Sequence, residues 1–425
     1  MVTLIKNGYV IDPANGLEGI YDVLIEDEKI KAVESGITVE ANKIIDASNK
    51  YVMPGFIDLH VHLREPGFEY KETIKTGAMS AAAGGYTTIC PMPNTNPTID
   101  SKEMVEYLLT KAKQDSLVNI IPVGAVTKGQ MGKELADIQG MADAGALAIS
   151  EDGKSVMNVS LYVEGMKAAK DAGISIFAHC EDKDLVRAGC MNAGKKAEEL
   201  GFNGITNAVE DVITARDIFL AKETGVRLHL CHCSTSDSVA LVKMAKEMEL
   251  PVTAEVCPHH FTMSDDEIPG DDADYKMNPP LRSKNDVEAL KLGLKNNIMD
   301  VIATDHAPHG EEEKKRSMKS APFGIVGLET AFALTMTELV DKGYLTPTQM
   351  VEKMSYNPAK VLGIDKGSLA PGKIADLVIA DPKAAYKIDK NSFVSKGKNT
   401  PFHGKEVIGK VELTMVNGNI VFENF

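Results

Sequence analysis

At 425 residues, with 44% hydrophobic content and a mean hydropathy of −0.12, the chain is too long for one small domain and has no apolar run able to cross a bilayer. A formal net charge of −15 argues against nucleic acid or an anionic membrane surface as a partner, and leaves the attraction of any anionic substrate to local groups. Six scattered cysteines, several of them following apolar strand residues, read as reduced buried thiols, and the start Met1–Gly8 lacks a signal-peptide core, so the expected location is the cytoplasm.

Residues 1 to about 50 read as short strands and turns, with Leu4–Asp12 and Asp22–Ile30 the clearest. Eight strand-like segments follow: Val52–His62, Gly85–Pro91, Asn119–Val126, Gly145–Ser150, Ser175–Cys180, Arg227–His232, Pro251–Val256 and Asp300–Thr304. Most are apolar on both parities, as parallel strands covered on both faces are. Helical patterns lie between them, including Lys102–Lys113, Val209–Glu223 and Ser236–Glu249. This alternation predicts an α/β fold, a (β/α)₈ TIM barrel. The alternative, a doubly wound open sheet, lacks its Gly-x-Gly-x-x-Gly fingerprint at the first turn. The charged stretch His309–Gly324 reads as a solvated loop; following the last barrel strand, it is placed to act as a substrate loop or lid. The C-terminus returns to β structure at Asp376–Ile379 and Leu413–Val421. Neither end alone can bury a core, so both are expected in one small β-sandwich, dividing the chain into 1–51, 52–363 and 364–425.

Active sites of such barrels sit at the C-terminal strand ends. On the first strand Asp58, His60 and His62 share a face, and Arg64 follows with the same parity, where it could clamp a carboxylate. Asp152 ends the fourth strand, His179 the fifth, His232 the sixth and Asp305 the eighth. One His-x-His is a weak signal; a ring of four histidines and two aspartates is far more specific. Six such ligands suit two divalent ions bridged by a carboxylate such as Asp152. Asp305 can touch a metal and accept a proton from water. Lys154 shares the parity of Asp152, so parity alone leaves a carboxylated-lysine bridge open. Cys231-His232-Cys233 has no second Cys-x-x-Cys and is not read as a structural zinc site. His229 has the opposite parity to His232 and is expected behind the sheet. His259 and His260 are expected in structural roles, His306 in fixing its loop, and His403 on the surface.

The chain resembles the dihydroorotases of the amidohydrolase superfamily, in their bacterial class with an aspartate metal bridge. The resemblance rests on Ile57–Gly67, Met92–Thr95, Ala178–Glu181, Met277–Arg282, Ala303–His309, Pro322–Gly324 and Gly372–Leu377, and covers essentially the whole chain. It implies one zinc ion on His60 and His62, a second on His179 and His232, and Asp152 between them. The shorter aspartate bridge makes the second site the weaker. It implies Asp305 on the first ion as catalytic base and acid. Arg64 and Asn94, helped by His309, are then expected on the substrate's free carboxylate, with His62 and Leu63 beside them. Asn278 and the Phe323-Gly324 backbone are expected on the ring amides. The implied reaction is reversible cyclisation of N-carbamoyl-L-aspartate to L-dihydroorotate in pyrimidine synthesis. A homodimer and an aspartate transcarbamoylase partner are implied likewise. The alternatives are a dihydropyrimidinase or allantoinase, against which Arg64 and Asn94 argue, and a non-catalytic scaffold, against which the intact ligand set argues.

Overall fold

The computed structural model describes residues 1–424. Its centre is a barrel of parallel strands. Phe56–Val61, Tyr86–Pro91 and Asn119–Ile120 form one run; Val123–Ala125, Ala148–Ser150, Ser175–Ala178, Leu228–Leu230, Val252–Val256 and Val301–Ile302 form the other. The expected third strand breaks between Ile120 and Val123 because Pro122 has no N–H for the ladder. The seam between first and last strands is closed by a parallel bridge from Val61 to His306, and the His62 N–H donates to the His306 carbonyl at 2.8 Å. Successive strand residues pack into two different apolar clusters: Cys90, Ala148, Phe177 and Val301 in one, Ile89, Ile149, Ile176 and Ile302 in the other. That is the two-sided burial expected of parallel strands.

The expected helices appear as Lys102–Asp115, Ala208–Thr224 and Ser236–Glu247. Ser101 and Thr235 cap the first and third, accepting from the Met104 and Ser238 N–H groups, a contribution of about 1 kcal/mol each. All six cysteines are free and buried. Among the described residues no helix is long and apolar enough to cross a membrane.

The segment expected as one strand, Val52–His62, is divided at Gly55. Tyr51–Pro54 pairs antiparallel with Leu377–Lys387 and parallel with Val2–Asp12, whereas Phe56–Val61 opens the barrel. A Cβ at Gly55 would meet the Thr87 side chain at 2.2 Å, so only glycine lets the chain pass there. The two chain ends thus share one eight-stranded mixed sheet. It closes on itself where the Ile30 N–H donates to the Lys373 carbonyl at 2.9 Å and the Gly372 N–H to the Ile30 carbonyl at 2.8 Å. Ile5, Val10, Val23 and Ile25 from one end meet Leu377, Ile379 and Leu413 from the other in a separate core.

The loop 309–324 carries a helical turn, Glu311–Lys314, and is fastened from within. The buried Lys314 donates from Nζ to the carbonyls of Lys276 (3.3 Å), Pro322 (3.2 Å) and Gly324 (2.9 Å). Lys314→Met should strand these acceptors at a local cost of about 1–3 kcal/mol. The expected result is faster amide exchange across 310–324; unchanged exchange would refute the role of Lys314 as fastener.

Candidate active site

The six expected ligands converge at the C-terminal mouth of the barrel, all buried. Asp152 is at their centre. Its Oδ1 lies 3.1 Å from His60 Nε2, 3.5 Å from His179 Nδ1 and 3.7 Å from His232 Nε2, and its Oδ2 lies 3.5 Å from His62 Nε2. Asp305 Oδ1 stands 3.0 Å from His62 Nε2 and 3.5 Å from His60 Nε2. His179 Nδ1 and His232 Nε2 are 2.8 Å apart. Two sets of three donors result: His60, His62 and Asp305, and His60, Asp152 and His232. His60 Nε2, Asp152 Oδ1 and His179 Nε2 are buried without a hydrogen-bond partner. Unpartnered polar atoms are costly unless something else satisfies them. Spacings of 3.0–3.7 Å match donors around a tetrahedral ion, whose edges are about 3.3 Å for bonds of about 2.0 Å. The donor set therefore fits divalent metal ions. Burial alone would protonate the Asp152 and Asp305 carboxyls, but the surrounding imidazoles override it and hold both well below the usual carboxylate range.

Three residues at strand ends sit in the left-handed region: Arg64 (φ 61°), His232 (φ 33°) and Asp305 (φ 49°). Each such non-glycine conformation costs on the order of 1–3 kcal/mol and persists only where surrounding contacts enforce it. Some of those contacts lie below the mouth. Asp58 Oδ1 accepts from the His60 N–H (3.0 Å) and the Thr304 N–H (3.1 Å), and Oδ2 from Thr304 Oγ1 (2.6 Å), tying the first strand to the eighth. Complete burial pushes the Asp58 carboxyl up to about 7. Glu255, from the seventh strand, touches His60, His229 and the His232 backbone. Its one signal in the sequence is an acidic residue inside the apolar run Val252–Val256.

The remaining candidates are placed as follows. Lys154 Nζ donates to the Gln130 carbonyl at 3.0 Å, apart from the metal donors. His229 is buried as expected, yet it bonds to Glu255 (3.0 Å) rather than packing inertly behind the sheet. His260 Nε2 donates to the Pro279 carbonyl at 2.9 Å, and His306 Nδ1 accepts from the Gly327 N–H at 3.2 Å, both structural tasks. His403 is exposed.

Above the donors lies a cavity of about 170 Å³, lined by every expected site residue except His60 and Leu63. His60 is buried beneath it, and the Leu63 side chain points into the core against Gly77, where an added Cβ would meet it at 2.4 Å. A larger cavity, of about 420 Å³ beside Phe332 and Tyr386, contains none of these groups. Arg64 donates from Nε to the Pro308 carbonyl (3.1 Å), and its Nη2 is 3.3 Å from His309 Nε2. Among the described residues it makes no ion pair. The His309 Nε2–H donates to the Phe323 carbonyl (2.7 Å) and Lys71 donates to Nδ1 (3.2 Å), which fixes the neutral tautomer. Burial, with Arg64 and Lys71 adding to it, keeps this imidazole far below its ordinary range. Asn94 Oδ1 is 2.9 Å from His62 Nδ1, and its Nδ2 is 3.4 Å from Asp152 Oδ2. Asn278 Nδ2 donates to Glu181. At Gly324 (φ 132°) a Cβ would strike Ala307 Cβ at 2.7 Å, so the backbone itself faces the cavity.

Residues 49–238 match a family model described as dihydro-orotase-like. The chain is 48% identical over 418 residues to a dihydroorotase of Acetivibrio thermocellus, covering 98% of each chain. It is 46% identical over 422 residues to a dihydroorotase of Staphylococcus epidermidis, covering 99% of each. Among solved structures, the L-hydantoinase (dihydropyrimidinase) from Arthrobacter aurescens matches with a TM-score of 0.88 at 29% identity, over 99% of this chain and 96% of that one. The dihydropyrimidinase from Brevibacillus agri NCHU1002 matches with a TM-score of 0.87 at 25% identity, over 100% and 95%.

Proposed function

The chain belongs to the dihydroorotase family, and from that premise we propose that it interconverts N-carbamoyl-L-aspartate and L-dihydroorotate plus water in pyrimidine synthesis, on a centre of two zinc ions. The observation that carries this reading is Arg64. A half-buried guanidinium, without an ion pair among the described residues, beside a cavity of about 170 Å³ and six candidate metal donors, calls for an anionic group on the ligand. The uncharged rings of dihydropyrimidinase substrates would leave it unpaired.

Ions held by His60, His62, Asp152, His179, His232 and Asp305 would supply a more acidic water and a countercharge for the developing oxyanion. The rest falls to the chain. Arg64 and Asn94 hold the free carboxylate, which His309 joins only by giving up its Nε2–H bond to the Phe323 carbonyl; Asn278 and the backbone of Phe323 and Gly324 meet the ring amides. Leu63 is left with its backbone alone, since its side chain is in the core. In the hydrolytic direction Asp305 takes a proton from the attacking water and passes it to the ring nitrogen as the C–N bond breaks. In closure it takes the proton from the carbamoyl nitrogen and returns it to the departing oxygen. Its carboxyl, held below the usual range, is ionised at neutral pH as a base must be.

The test is turnover of L-dihydroorotate by zinc-loaded protein beside dihydrouracil and hydantoin. Activity confined to dihydroorotate is expected; hydrolysis of the other two would move the assignment to a dihydropyrimidinase. Arg64→Ala should lower kcat/KM for dihydroorotate by roughly 10- to 150-fold, the worth of charge-assisted hydrogen bonds of about 1.5–3 kcal/mol. Closure consumes a carboxylate and takes up one proton, so the equilibrium ratio of ring to open form should rise about tenfold for each unit fall in pH. A ratio independent of pH would exclude this reaction.

The same reading includes a cytoplasmic homodimer able to associate with aspartate transcarbamoylase, as the family resemblance implies; sizing with and without that partner tests it. It also includes the division of the chain near 1–51, 52–363 and 364–425, with the first boundary moved to Gly55 because Tyr51–Pro54 pairs into the sheet of the chain ends.

A further inference from the structure

We propose that Glu255 is a positioning residue that holds the two halves of the metal centre in register, with His229 as its support; this rests on the metal-binding reading above. Glu255 and His229 lie below the mouth and do not line the cavity. Oε1 of Glu255 is 2.8 Å from His60 Nδ1 and accepts the His232 backbone N–H at 3.0 Å. One carboxylate oxygen therefore contacts a donor residue from the first strand and another from the sixth. Oε2 is 3.0 Å from His229 Nε2, whose Nδ1 lies 2.8 Å from Thr253 Oγ1.

The polarity of this chain of bonds is determined. A carboxylate only accepts, so His60 carries its proton on Nδ1 and His229 carries its own on Nε2. With His229 neutral, Thr253 donates its hydroxyl to Nδ1. With Nδ1 protonated, His60 Nε2 is the atom with a free lone pair, and it faces Asp152 at 3.1 Å and Asp305 at 3.5 Å. The alternative tautomer could not bind a metal there. At His232 the same oxygen restrains a residue held at φ 33°. Freed from that bond, the backbone can relax and carry the imidazole away from His179 and Asp152. Glu255 is thus placed to act on both ions at once, through a ring on one side and a backbone on the other.

The experiment is a zinc titration of full-length protein against a competing fluorescent chelator, with the thermal midpoint of the metal-free form measured alongside. Glu255→Gln should weaken zinc 10- to 100-fold, the range for lost supporting carboxylates, and should do so for both ions in parallel. His229→Gln should weaken it in the same direction by less. A merely structural role would lower the metal-free midpoint and leave zinc affinity unchanged; that result, or loss at one ion alone, overturns the proposal. Should Glu255→Gln fail to fold, His229→Gln decides: weaker zinc supports the proposal and wild-type zinc overturns it. The titration needs no substrate. Tight zinc with no turnover of dihydroorotate would therefore sink the assigned reaction and leave Glu255 tested, whereas a wild-type chain that takes up no zinc would overturn both.

Discussion

Asp305→Ala should fold, bind dihydroorotate with a similar KM and turn it over at least about 10³-fold more slowly. General acid–base catalysis by one positioned group contributes typically 10²–10⁴-fold, and here the same carboxylate also stands 3.0 Å from His62 Nε2. On the proposed reading, removing it takes away the proton acceptor and loosens a metal donor together. Asp305→Asn separates the two effects: the amide keeps the shape and an oxygen toward His62 but takes up no proton at neutral pH. Both variants are expected to be nearly inactive, with metal content falling more in the alanine variant than in the asparagine one. The measurement is kcat beside metal per subunit. A kcat within tenfold of wild type in either variant would remove Asp305 from the proton-transfer role.

Stripping the metal should have an effect of comparable size. Dialysis against a chelator is expected to reduce activity below about 1% and zinc to restore it, since the polarised water and the countercharge both depend on bound ions. Loss of ligands that bind only the folded state also lowers stability, by about 2.7 kcal/mol per site for an ion present at 100 times its Kd. The thermal midpoint should therefore fall on stripping and recover with activity. Full turnover by protein carrying less than about a tenth of an ion per subunit would contradict the assignment of His60, His62, Asp152, His179, His232 and Asp305 as ligands.

The clustering of the candidate donors is legible in the sequence because each of them ends a strand, and strand ends meet in a barrel mouth whatever lies between them. Glu255 was not legible. Its partner His60 lies 195 residues away, and the apolar run around it marks burial without saying what the carboxylate touches. Lys314 escaped for a related reason: within Glu311–Arg316 it reads as one charge of a solvated run, yet it is the member turned inward. The parity of Leu63 is opposite to that of His62 and Arg64, which by itself sends its side chain to the core. The division of Val52–His62 at Gly55 could not be read from a pattern that is apolar throughout. It depends on Tyr51–Pro54 finding Leu377–Lys387, a pairing outside any local window.

That pairing has a consequence for how the protein is made. The strand Tyr51–Pro54 leaves the ribosome with one edge open, and its antiparallel partner follows roughly 320 residues later, a wait of about 15–65 s at 5–20 residues per second. The barrel can close only once Val301–Ile302 has been made, late in that interval, and throughout it Val10, Val23 and Ile25 lack the covering of Leu377, Ile379 and Leu413. An open strand edge beside half-covered valines and isoleucines is the kind of surface that associates with neighbouring nascent chains. The strands from Leu377 onward are therefore the part that ends the molecule's exposure to aggregation, and truncations within 377–423 should be felt first in yield of soluble protein, even though every candidate metal donor precedes them.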